Sequence, residues 1–106
     1  MAWFALFIAG LFEVAWATAM KQSDGFTRFW PTVVTAVAAV ASFVLLAWAM
    51  RSLPLGTAYA VWTGIGTLGA FVLGIALLGE PAGGMRIVAA LMIVGGIALM
   101  KLSSPA

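Results

Sequence analysis

Of the three acidic residues in this 106-residue chain, Glu13 alone lies inside a long apolar run; Asp24 and Glu80 fall in polar turns. A carboxylate can carry a proton or pair with a cation, and it has few other uses where water is scarce. Ionisable side chains at such depth face a bundle interior or a watery cavity and mark ion and proton pathways. A buried acid can also serve stability alone, by pairing with a basic side chain. No Lys or Arg lies mid-run to play that part, so the missing partner is expected to be a cation from outside the chain. His and Cys are absent. Protons are therefore left to carboxylate, lysine or water, and there is neither thiol chemistry nor a disulfide framework. No metal site and no cofactor is expected.

Helical spacing gives Glu13 its company. Gly10, Glu13 and Trp16 are three apart and share a helix face, with Ala9 and Ala17 beside them. Tyr59, Trp62 and Gly66 share a second face by the same rule. Aromatic faces attract cations, and an acid flanked by aromatics suits a planar or alkylated cation. Taken singly, Trp16 and Trp62 are also what packing or an interfacial belt would use; their company with a lone buried glutamate is what points to binding. Ser42, next to the small-residue stretch Ala36-Val37-Ala38-Ala39-Val40-Ala41, is the other mid-run polar group of interest. Its hydroxyl either bonds back to its own helix or donates to Glu13 and sets its orientation. Gly64, Gly66, Gly69 and Gly74 allow a close backbone approach or a bend, and Gly95-Gly96 reads as a helix-packing spot.

The elements that must position these residues follow from composition. Hydrophobic residues make up 65% of the chain and charged residues 8%, with a mean hydropathy of +1.19. A soluble domain carries about 25% charged residues to solvate its surface, so this chain belongs in a bilayer. The net charge of +2 and pI of about 9.7 reflect scarcity of charge rather than a basic patch, and no nucleic-acid partner is expected. The charges and the Gly/Pro breakers punctuate four runs, predicted to span 2–20, 30–50, 57–78 and 84–101. About 20 helical residues cross a bilayer core. The last run holds only fourteen uncharged residues, 87–100, so its helix must begin earlier, with Arg86 snorkelling to the interface. Strands are excluded by the missing period-two alternation and by the length of the runs.

The expected architecture is a single all-α domain of four transmembrane helices with tight connections. Glu13 falls two residues from the midpoint of the first run, within about 3 Å of it at helical rise. Trp3, Trp30 and Trp48 fall at run ends, where interfacial aromatics belong. The N-terminus lacks a basic region and carries Glu13 inside its apolar stretch, so it is expected to be a permanent span rather than a signal peptide. With the N-terminus inside, Arg51 and Lys101 oppose Lys21, Arg28 and Arg86 across the membrane, two against three. The positive-inside rule has almost nothing to act on. Either a weaker signal orients the chain, or it inserts both ways and pairs head-to-tail.

Three stretches resemble the small multidrug resistance family: Phe12-Glu13-Val14-Ala15-Trp16; Met20-Lys21 with Gly25-Phe26-Thr27-Arg28; and Leu53-Pro54-Leu55-Gly56-Thr57-Ala58-Tyr59-Ala60-Val61-Trp62-Thr63-Gly64-Ile65-Gly66. The similarity covers essentially the whole chain. It is greatest to the guanidinium-exporting branch, marked by a Trp one helical turn after the glutamate, where the drug-exporting branch has a small residue. The resemblance implies an antiparallel, dual-topology homodimer in a bacterial inner membrane that exchanges protons for guanidinium or small substituted guanidinium cations. It further implies that Glu13 binds both proton and substrate and that Trp16, Ser42, Tyr59 and Trp62 line the same pocket. The third helix is implied to bend near Gly64 and Gly66, and the fourth to make much of the dimer contact among lipids.

Other functions fit the residues less well. Export of quaternary ammonium or aromatic cations would use the same acid and aromatics. A proton-translocating rotor subunit also carries one mid-membrane carboxylate but needs only a two-helix hairpin. A dual-topology ion channel of the fluoride type depends on pore asparagines, and this chain has no Asn. A non-transporting assembly protein gives no reason for Glu13.

Overall fold

The computed structural model describes residues 1–103. They form four α-helices: α1 (Ala2–Gln22), α2 (Phe29–Ala49), α3 (Leu55–Leu78) and α4 (Gly84–Ser103). Each is long and apolar enough to cross a membrane. No strand occurs among the described residues.

Local chemistry sets the helix ends. Ser23 closes α1: its hydroxyl donates to the Met20 carbonyl at 2.6 Å and accepts the Phe26 N–H at 3.0 Å. The chain then reverses through Asp24, Gly25 and Phe26, all with positive φ. Only Gly25 takes that conformation without steric cost, so the bonds from Thr27 and Arg28 N–H to the Ser23 carbonyl, at 2.9 and 3.1 Å, help hold the other two. Pro31 lies in the first turn of α2, where its missing N–H leaves no intrahelical bond unmade. Pro54 precedes α3, and Gly79, left-handed at φ 70°, ends it.

The helices form a slab of 43 × 34 × 16 Å. α1 is the central element, packed on α2 and on α3, while α4 packs its backbone on α3 alone. The hydrophobic core gathers at one end of the slab, from Ala5, Leu6 and Ala9 of α1, Leu46 and Ala49 of α2, Leu53, and Ala58, Val61 and Trp62 of α3. Toward the other end α1 and α3 flank a cleft of about 300 Å³, with Ala17, Lys21, Thr67, Gly74, Glu80 and Arg86 among its lining residues. α4 has no buried residue. Only Ala90, Ile93, Ile97 and Met100 are even half-buried on it, a single narrow seam against α3. Gly95 and Gly96, expected to mark a packing spot, have open space where a side chain would stand. The guanidinium of Arg86 lies over the Phe71 ring, 5.3 Å from its centroid, and Lys101 lies over Trp3 at 4.5 Å.

Candidate functional site: a carboxylate between packed core and open cleft

Glu13 lies one helical turn beyond Ala9, the last residue that α1 gives to the core cluster around Leu6 and Trp62, and one turn before Ala17, the first residue of the cleft. The carboxylate therefore stands where tight packing gives way to open space. Gly66 of α3 supplies the close approach: a Cβ built there would lie 2.5 Å from Glu13 Cδ, and 2.7 and 2.8 Å from its two oxygens. No residue larger than glycine fits without moving the acid. Glu13 Oε2 is buried and has no hydrogen-bond partner.

The other glycines of this seam serve close packing. A Cβ on Gly10 would collide with Ile65, and one on Gly69 with Val14. Gly10, expected on the pocket face with Glu13, is thus buried beneath Ile65 and brings α1 and α3 together. Gly64 faces α4, where a Cβ would meet Ile97 at 2.7 Å. Of the two roles the sequence left to these glycines, close approach is seen at Gly64, Gly66, Gly69 and Gly74, each of which has another side chain where its Cβ would stand.

Ser42 makes neither of the bonds expected of it. Its hydroxyl donates to the Ala9 carbonyl of α1 at 2.7 Å and accepts the Trp62 Nε1–H of α3 at 2.9 Å. A fully buried hydroxyl so ties three helices and fixes the Trp62 ring. It does not reach Glu13, because Ala9, one turn away on α1, takes its proton.

Trp62 is in turn one member of a row of rings. Tyr59 and Trp62 have centroids 5.5 Å apart, Trp62 and Phe43 are 5.7 Å apart, and Phe43 and Trp16 are 6.5 Å apart, all tilted by 51–55°. Phe43 links the aromatics of α1 and α3, and the sequence reading did not single it out. Its neighbour Ser42 is the only local signal. Tyr59 is 55% exposed and Phe43 50%, so the row borders open space. Trp16 Nε1 is buried without a partner. Such an arrangement can hold a flat cation, with a carboxylate at its edge and ring faces at hand.

Residues 1–94 match the family described as Small Multidrug Resistance protein. The chain belongs to the small multidrug resistance family. A protein of Escherichia coli (strain K12) named "Guanidinium exporter" is 56% identical over 104 residues, covering 98% of this chain and 99% of the relative. Proteins of the same name from Citrobacter freundii and Salmonella typhimurium are 53% identical over the same coverage. As a small multidrug resistance protein with four membrane-crossing helices, the chain is a multi-pass protein of the bacterial inner membrane. The family is one of transporters, not enzymes.

Proposed function

We propose that this protein exports guanidinium and small substituted guanidinium cations in exchange for protons, with Glu13 as the shared binding group. The observation that carries the proposal is the half-buried Glu13 carboxylate, its Oε2 buried and unpartnered, placed between the core cluster and an open cleft beside a row of aromatic rings. Relatives named guanidinium exporters, similar over almost the whole chain, point to the same cation. Protonated Glu13 is neutral, and so is Glu13 paired with a monovalent cation. Each state lowers the cost of carrying the group through a low-dielectric interior, whereas the bare carboxylate is held back. Because proton and cation compete for one carboxylate, turnover is an exchange, and an inward proton gradient drives the cation out. The test is a proteoliposome with an internal pH reporter. External guanidinium should discharge protons outward, and tetrapropylammonium should do so weakly. A response to tetrapropylammonium alone would assign the protein to export of quaternary ammonium cations.

The same proposal includes an antiparallel homodimer. A slab with no buried residue on α4 leaves that helix to be covered by a second copy or by lipid. The two-against-three balance of Lys and Arg gives insertion no preferred direction. Tags on the C-terminus should therefore report both sides of the membrane. Two added lysines in one connection should lock one orientation and abolish transport when that form is expressed alone. A single orientation for the native chain would contradict the antiparallel pairing.

Trp16 sets selectivity in this scheme. Trp16→Gly opens volume one turn from Glu13 and removes a cation–π contact worth about 0.5–2 kcal/mol. Apparent guanidinium affinity should fall by roughly two- to thirty-fold, while larger hydrophobic cations gain. Currents from both classes of cation in the same vesicles measure it. Unchanged affinity and unchanged discrimination would make Trp16 a packing residue.

A further inference from the structure

Three threonine hydroxyls on these helices turn inward to their own backbone. Thr32, Thr35 and Thr67 each donate to the carbonyl four residues back, at 2.6, 2.8 and 2.7 Å. Thr63 does not. Its Oγ1 is buried and has no partner, a condition native structures rarely leave without a purpose. Four buried side-chain polar atoms among the described residues lack a partner: Trp3 Nε1, Glu13 Oε2, Trp16 Nε1 and Thr63 Oγ1. Trp3 lies at the far end of the slab, under Lys101. Glu13 and Trp16 belong to the candidate site, and Thr63 lies one turn before Gly66, the residue packed on Glu13.

Position on α3 supports the grouping. Thr63 is four residues after Tyr59, three before Gly66 and four before Thr67, so it shares their helix face. That stripe meets the Glu13 carboxylate at Gly66 and lines the cleft at Thr67, Ala70 and Gly74. Chemistry then separates the three orphan atoms. An indole N–H only donates, an ionised carboxylate only accepts, and a hydroxyl does both. Guanidinium carries N–H donors around its whole edge, and a carboxylate fork takes two of them. The remaining donors need acceptors. Trp16 Nε1 is none, and Ser42 Oγ has one of its two lone pairs already taken by Trp62 Nε1–H.

We propose that Thr63 is a further substrate-binding residue that sets specificity, its hydroxyl accepting an N–H of a guanidinium whose other donors are held by Glu13. The proposal rests on guanidinium being the substrate. A cation must then present an N–H toward α3 to bind well, and full alkylation removes that bond.

Thr63→Val removes the hydroxyl with little change of shape, and Thr63→Ser keeps it. Guanidinium concentration jumps on proteoliposomes give apparent affinity and maximal current for each. The expected result for Thr63→Val is an apparent affinity weakened about tenfold or more, a maximal current within about twofold of the parent, and no loss of thermal stability in detergent. Thr63→Ser should stay within about twofold of the parent in affinity. Parent-like affinity for Thr63→Val would overturn the proposal while leaving guanidinium export standing. Equal weakening in both variants with lowered thermal stability would also overturn it, since the side chain would then be a packing element. A parent protein without any guanidinium response would overturn this proposal and the functional reading together.

Discussion

Glu13→Gln is expected to abolish coupled transport while leaving the folded protein intact. The amide keeps the size of the side chain and fills the same space against Gly66, so packing of α1 on α3 should survive. What is lost is the only acid within a membrane-crossing apolar run. An amide neither titrates nor neutralises a cation, so both states that cross the membrane disappear at once. Vesicles holding Glu13→Gln should show guanidinium-evoked proton movement at the protein-free background, with size-exclusion behaviour like the parent. A proton gradient that still accumulates guanidinium in this variant would place the carrier group elsewhere. Glu13→Asp should retain exchange with an altered pH profile, because the shorter acid withdraws from Gly66 toward a different environment.

The second large effect is expected from the smallest change, Gly66→Ala. Alanine favours helix over glycine by about 1 kcal/mol, so α3 itself loses nothing. The added Cβ would stand 2.5 Å from Glu13 Cδ. The carboxylate is the far end of a flexible side chain, so it moves aside at little cost to the fold. Displacing a binding group by about 1 Å can cost on the order of a hundredfold where geometry governs function. Apparent guanidinium affinity or turnover should fall at least about tenfold, with expression and helicity unchanged. Gly56→Ala, where a Cβ meets open space, is the control and should transport like the parent. Normal transport by Gly66→Ala would mean that the position of the carboxylate is not critical.

These two variants also show where sequence stops. Four helices were legible because charge is so scarce that each polar cluster marks a membrane boundary. Glu13 was legible for the same reason, as a solitary exception inside an apolar run. Spacing placed Gly10 and Trp16 on its face, and Tyr59 and Trp62 on a common face of α3. It could not say which helix meets which. The Ser42 bond to Ala9 spans 33 residues and the Trp62 bond to Ser42 spans 20, and both depend on packing that no local period encodes. Phe43 read as one more apolar residue until α2 was laid beside Trp16 and Trp62. The same is true of Gly66, whose glycine could equally mark a bend. Thr63 looked like an ordinary helical threonine, and only its buried, unpartnered hydroxyl sets it apart.

The central claim is exchange of guanidinium for protons, and simultaneous measurement of the two fluxes in proteoliposomes tests it most directly. With equal pH on both sides and guanidinium loaded inside, dilution into guanidinium-free buffer should drive protons inward as guanidinium leaves. The ratio of the two fluxes should stay fixed as the gradient is varied. Guanidinium efflux with no accompanying proton entry, or with a flux ratio that drifts as the gradient changes, would contradict the exchange and leave the protein a passive pathway.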